Sequence, residues 1–390
     1  MLNAGARSSS GKRIGLFCAS AGSTPGGPER YETELLRSIA AIDKENQYEI
    51  FCLFREGPAK IGVVQDNFRY HTLWPPFRPV SMLTSLPAKL FTNRLDFVHA
   101  TFIPPPITPH DYIFTLVCSS MLEHPEFYPA LIRLRLLALM GLAVRKAKLI
   151  ICISQHIENV LRERFVLPPE RTAVVPLAAN SSFRPIPKDE CQTFVRERYS
   201  IGFPYFLFSG RWEQRKNIVR ILEAFHRFKS DFPSEIKLVL TGERTWAAKD
   251  AEETIRRNKM DNEIMDLGKS PVAELPYLYA GARALIYPSL WEGFGLPLVE
   301  AMGAGTPVIT SNNSSMAEIG RGAALLVDPR SIDDIASAMH RIATDSRLHA
   351  DLRTRGLNRA KLFSWENTAK QTLAVYERMN SSWKGALKAV

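Results

Sequence analysis

The sequence predicts an α/β protein built from two successive, doubly wound, Rossmann-like domains. Short apolar runs alternate with helical patterns along almost the whole chain, which argues for parallel sheets covered on both faces by helices. The alternation pauses once, at the proline-bearing, charged segment 185–190, and then restarts. A length of 390 residues also exceeds what one ordinary core serves. Before the pause, strands are expected at 13–18, 48–54, 97–100, 112–118, 148–153 and 172–175. After it they are expected at 205–209, 237–241, 284–287, 307–310 and 324–327. The expected units are residues 1–190, residues 191–363 and a C-terminal helical segment, 364–390.

Composition narrows the class. Hydrophobic content of 45% and charged content of 23% suit a globular chain with real cores. No run approaches the ~18 uninterrupted apolar residues of a membrane span. The opening segment 1–13 is polar and lacks the apolar stretch of a secretory signal, so it reads as a floppy leader. The five cysteines, Cys18, Cys52, Cys118, Cys152 and Cys191, form no C-x-x-C pair. Four of them sit in strand-like apolar runs, as buried reduced thiols of a cytoplasmic protein do. The net charge of +10 is spread over both halves, unlike the concentrated face or tail of a nucleic-acid binder, so no nucleic acid is expected as partner. Attraction to anionic nucleotides or to an anionic membrane surface is the milder implication.

The segment 287–312, YPSLWEGFGLPLVEAMGAGTPVITSN, carries most of the chemistry. It places Glu292 and Glu300 eight residues apart around a Gly-Phe-Gly-Leu-Pro turn, after the apolar run ALIY and with Pro297 at a helix start. Gly293 and Gly295 lack a Cβ, so backbone N–H groups can come close to a ligand. A helix N-terminus aimed there favours anions, phosphates above all. One carboxylate on each side of the turn can then grip hydroxyls flanking a diphosphate. Upstream, the strand YFLFSG delivers Arg211 and Lys216 beside Asn217, which reads as the N-cap of the next helix; cations at a strand's carboxyl end are well placed for phosphates. The loop 19–28 after the first strand is glycine-rich, with Gly26 and Gly27 just ahead of a helix start near Pro28.

These strings together resemble glycosyltransferase family 4, the retaining, nucleotide-sugar-dependent enzymes of GT-B fold, in the bacterial mannosyltransferase-like group. EGFGLP, EAM-x-x-G-x-PV and SN are similar to the family's E-x7-E region, and Gly210 to Lys216 to its G-R-x4-K signature. The resemblance implies catalytic roles for Arg211, Lys216 and Glu292. It implies donor contacts from Gly27, from the backbone of Gly293, Phe294, Gly295 and Leu296, and from Glu300 on the ribose. It also implies that the helices after Trp365 cross back onto the first domain. The implied partners are a nucleotide-diphosphate sugar donor, such as GDP-mannose, and a glycan or lipid-linked oligosaccharide acceptor of polysaccharide assembly. The departing phosphate is thought to help deprotonate that acceptor. The implied place is the cytoplasm, with peripheral contact at the inner membrane face.

Other sites are excluded or left open. No D-x-D and no His or Cys cluster at ligand spacing occurs, so neither metal nor cofactor is expected. G-x-G-x-x-G and G-x-S-x-G are both absent, against a dehydrogenase or a serine hydrolase. Ser154 reads as a helix cap, and His99, His124 and His156 as structural. The segment 131–150 holds five basic residues scattered round a helical wheel and no acidic one, which favours a buried helix with basic ends over a membrane-surface helix. One departure stands out. Where family members read T-x-H-D-L, this chain has Thr115-Leu116-Val117-Cys118-Ser119, which puts Val117 on the histidine and Cys118 on the aspartate. That histidine reaches the donor sugar near C6, so Val117 points to a 6-deoxyhexosyl donor as well as a mannose-like one. The alternatives are a GT-B nucleotide-sugar epimerase or hydrolase, and a non-catalytic GT-B binding protein.

Overall fold

The computed structural model describes residues 11–379 apart from 24, 25, 103, 246 and 247. Most of the expected leader and the end of the 364–390 segment therefore lie outside the described residues. Among those described, β1 (Arg13–Cys18), β2 (Gln47–Cys52), β3 (Phe68–Thr72), β4 (Phe97–Thr101), β5 (Tyr112–Leu116), β6 (Leu149–Cys152) and β7 (Thr172–Val174) form one sheet, in the order β3-β2-β1-β4-β5-β6-β7. A second sheet has the order β10-β9-β8-β11-β12-β13, from β8 (Tyr205–Ser209), β9 (Lys237–Thr241), β10 (Ile264–Asp266), β11 (Ala284–Tyr287), β12 (Val308–Ser311) and β13 (Leu325–Val327). Neighbours pair in parallel throughout, for example Leu16 with Ile50 and Leu207 with Val239. Each sheet reverses its order once, between β1 and β4 and between β8 and β11, and a doubly wound sheet takes its ligand outside the strand ends at that point.

The expected strands are present, with ends shifted by a residue or two. β3 and β10 were not foreseen. FRYHT carries polar side chains toward solvent and IMD is three residues long and half-buried, so neither shows the apolar run of a strand covered on both faces. Residues 188–190, read as linker, begin the helix Lys188–Tyr199, which packs on the helix Leu275–Gly281 of the second domain.

A second correction concerns the helix Ala130–Lys146. It buries only Met140, Ala143 and Val144, and leaves Leu131 80% and Leu134 66% exposed. Its apolar residues run round the whole helix, but only one stripe can meet the sheet.

The helix Trp365–Arg378 lies against the helix Gly27–Ile42 of the first domain. There Tyr376 Oη bonds His99 Nδ1 at 2.7 Å, His99 Nε2 meets Thr115 Oγ1 at 2.8 Å, and Thr115 Oγ1 meets Tyr31 Oη at 2.7 Å. Burial pushes the His99 imidazole down to about 3, so it is neutral and serves as a bonding post. Cys18, Cys52, Cys152 and Cys191 are buried free thiols.

Candidate active site

The two loops at the switch point of the second sheet follow β8 and β11, and they carry the two motifs. A short 3₁₀ turn, Gln214–Lys216, swings Arg215 and Lys216 inward onto Glu292. Arg215 Nη1 donates to Glu292 Oε2 at 2.8 Å, and Lys216 Nζ pairs with Glu292 Oε1. Tyr287 Oη, at the end of β11, accepts from Lys216 Nζ at 2.5 Å and donates to Glu292 Oε1 at 3.2 Å. Burial alone would raise the carboxyl's pKa. Arg215 and Lys216 outweigh it and hold Glu292 at about 2. Burial draws the Lys216 ammonium below its usual range, opposed by Glu292. Glu213 also accepts from Arg215 Nη2 at 3.1 Å, so the cluster sets two cations between two carboxylates, Glu292 buried and Glu213 half-exposed.

Arg211 does not join them. Its side chain is 57% exposed and pairs with Glu213 and Glu243, each at 3.3 Å. Arg215, which the sequence reading did not single out, lies beside Lys216 on Glu292. The string RWEQRK offers both arginines, and only the pitch of the 3₁₀ turn separates them. Asn217 starts the helix Ile218–Asp231 in a left-handed conformation, φ 63°, without capping it. Its amide instead donates to the carbonyls of Pro288 (2.9 Å) and Pro329 (2.6 Å), which ties the two loops together.

The second loop leads into the helix Leu296–Ala304. Gly295 stands at its N-cap with φ +98°, where a Cβ would overlap Met316. At Gly293 a Cβ would overlap the carbonyl of Val117, across the domain boundary. The Val117 carbonyl accounts for Gly293 and the left-handed backbone for Gly295. The Gly293 carbonyl accepts from Ser154 Oγ at 2.8 Å, so Ser154 joins the domains besides capping its own helix at Ile157 N. Phe294 turns its side chain into the core, edge-on to Phe363 at 5.7 Å, and leaves only backbone for a ligand. Glu300 falls in the second turn of this helix, beyond the first-turn position expected, and is 4% exposed. It accepts from Tyr279 Oη at 3.0 Å and pairs with Arg30 of the first domain. Arg30 and Tyr279 carried no signal in the sequence. Arg30 lies 270 residues from its partner.

The corresponding loop of the first sheet is closed from within. Glu32 accepts the backbone N–H groups of Ala19 (3.0 Å), Ser20 (2.9 Å) and Ala21 (2.6 Å), together with Thr101 Oγ1. Desolvation wins over these bonds and raises its carboxyl to about 7. Gly27 opens the helix Gly27–Ile42, and a Cβ there would meet nothing within 4 Å. His124 stacks on Phe127 and bonds Glu126 at 2.9 Å. His156 and Trp291 share the Glu123 carboxylate across the domains, each at 2.9 Å. Among the described residues, no group of three His, Cys, Asp or Glu is placed to hold a metal ion.

Comparison with known proteins bears on this arrangement. A family model described as glycosyl transferases group 1 matches residues 194–359, and one described as Glycosyltransferase Family 4 matches residues 25–183. The chain is similar to O-antigen chain mannosyltransferase B of Escherichia coli, 36% identical over 232 residues, covering 59% of this chain and 61% of that one. It spans less than two thirds of the length of the curated relatives it matches. In fold it is similar to a sucrose-phosphate synthase from Thermosynechococcus elongatus, with a TM-score of 0.76 at 20% identity over 94% of this chain and 99% of that one. It is also similar to HepE of Anabaena in complex with UDP-glucose, with a TM-score of 0.75 at 17% identity over the same shares.

Proposed function

The chain belongs to glycosyltransferase family 4, with the GT-B fold, and from that premise we propose that it transfers a mannose-like hexosyl group, with retention, from a nucleotide-diphosphate donor to a glycan or lipid-linked acceptor hydroxyl. The observation that carries this reading is the cluster of partly buried Arg215 and Lys216 on buried Glu292 at the second sheet's switch point. A diphosphate leaving group develops negative charge as the glycosidic bond breaks. Cations held beside it once donor is bound stabilise that charge during the chemical step. In this reading Lys216 and Arg215 turn from Glu292 to the diphosphate when donor binds. Glu292, freed, takes the transferred sugar's hydroxyls, Glu300 takes the ribose, and the N-terminal amides of Leu296–Ala304 face the phosphates. No metal has a role in it. The enzyme would work in the cytoplasm at the inner membrane face, with Leu131 and Leu134 exposed beside basic Arg135.

One observation favours a second donor. Val117 lines an apolar pocket with Leu116, Cys118 and Met121, and its carbonyl packs on Gly293 of the donor loop. An apolar wall there suits the methyl of a 6-deoxyhexose. Incubating the protein with GDP-mannose and with GDP- and dTDP-linked 6-deoxyhexoses, with and without lipid extract, tests both readings. Transfer with retained anomeric configuration is expected. Release of free sugar or epimerised donor without acceptor would favour the hydrolase or epimerase alternative, and no turnover from any donor would favour a binding protein. A clear preference for GDP-mannose would remove the 6-deoxy reading, since an apolar pocket discriminates by roughly 1–3 kcal/mol at best.

A further inference from the structure

A cavity of about 220 Å³ opens in the first domain between the loops after β1, β4 and β5 and the helix Ala130–Lys146. Its walls are almost wholly apolar, with Leu136 and Leu139 on one side and Ser20, Pro28 and Val117 at the end nearest the donor loop. One charged side chain lines it, that of Arg78. Arg78 Nε and Nη2 are buried, and neither meets an acceptor among the described residues. The carboxylate that influences it, Glu32, is already engaged by three loop amides and Thr101.

A guanidinium does not escape such a position by losing its proton. Burying charged N–H groups without partners is unfavourable, and an anion in the cavity would satisfy them. The planar fork of an arginine suits a phosphate or carboxylate. The surroundings select among anions. The segments that wall the cavity also leave Trp74, Phe77, Leu131 and Leu134 exposed, the first and third by 78% and 80%. An occupant with an anionic group inside and a long apolar chain leading outward fits both features. We propose that this pocket holds the acceptor as a phosphate ester of a long-chain lipid. Arg78 grips the phosphate, the chain leaves between Phe77 and the helix Ala130–Lys146, and the sugar end lies at Ser20, Pro28 and Val117. The assignment as acceptor rests on the transferase reading above. The anion site itself does not.

Calorimetric titration with decyl phosphate, decyl glucoside and inorganic phosphate tests it. Wild-type protein should bind decyl phosphate roughly 10- to 100-fold more tightly than decyl glucoside, the range expected for charge-assisted bonds, and inorganic phosphate only weakly. Arg78→Met should lose that preference and Arg78→Lys should keep most of it. Both should bind nucleotide diphosphate like wild type and melt at a similar temperature. Leu139→Glu, which puts a like charge in the wall, should also weaken decyl phosphate. Equal binding of decyl phosphate by wild type and Arg78→Met, or equal binding of the neutral glucoside, would overturn the site. Arg78-dependent binding in a protein that turns over no nucleotide sugar would leave the anion site standing and overturn its assignment as acceptor.

Discussion

The first βα loop of each domain leaves an equivalent strand of an equivalent sheet, yet the two do opposite things with charge. After β1, the amides of Ala19, Ser20 and Ala21 turn toward their own helix and are consumed by Glu32. After β8, the loop brings Arg215 and Lys216 to the cleft, where Glu292 and the more exposed Glu213 oppose them. Topology offers two switch-point clefts, and side-chain chemistry decides which one presents cations. A loop whose amides are already satisfied by an internal carboxylate cannot offer them to a phosphate without exposing that carboxylate.

The contrast breaks first at the cations. Replacing Arg215 and Lys216 together by alanine should lower turnover at least ~100-fold, as loss of other transition-state charge stabilisers does. Steady-state kinetics with saturating donor check this, and an active double variant would move the diphosphate elsewhere. Glu300→Gln should weaken nucleotide binding by roughly 10- to 100-fold through the ribose, read by titration with nucleoside diphosphate. Unchanged affinity would leave Glu300 as an interdomain contact with Arg30.

The same contrast predicts opposite responses to pH. Glu32 has its folded pKa raised to about 7, so its share of stability is present below the unfolded value near 4.5 and is lost as pH rises through 7. Glu292 is depressed to about 2, so its share is present above 4.5 and is lost as pH falls toward 2. Unfolding curves between pH 4.5 and 7.5 should flatten in Glu32→Gln and keep their slope in a Glu292 variant; the reverse pattern would overturn the assignment. The smallest effects are expected where the site has no stake. Arg211→Ala should change turnover less than about threefold, because exposed ion pairs contribute little. Excess chelator should leave turnover unaltered, and loss that Mg²⁺ or Mn²⁺ restores would overturn the cation-cluster mechanism.

Strands covered on both faces were legible in the sequence because burial demands continuous apolar runs, as in YFLFS and ALIY. The edge strands FRYHT and IMD, with a solvated side, were not. Lys216, Glu292, Glu300 and the turn at Gly295 could be read because each belongs to a contiguous string whose backbone demands are local. Arg215 could not be told from Arg211, since a single tight turn determines which of them faces inward. The helix Ala130–Lys146 misled for a related reason: its composition suits burial, but the sheet offers it only one covered stripe.

Periodicity, proline and glycine act between neighbours in the chain, so the sequence by itself determined two parallel sheets and the loops between their strands. Electrostatics acts between neighbours in space. Only the tertiary structure decided that Glu32 would silence the first loop, that Glu292 would rest on Arg215 and Lys216, and that Arg30 would reach Glu300 from 270 residues away. It alone left Arg78 Nε and Nη2 without an acceptor among the described residues, beside an apolar pocket. Charge pairing and desolvation depend on distances of a few ångströms, and those distances exist only once both cores have packed.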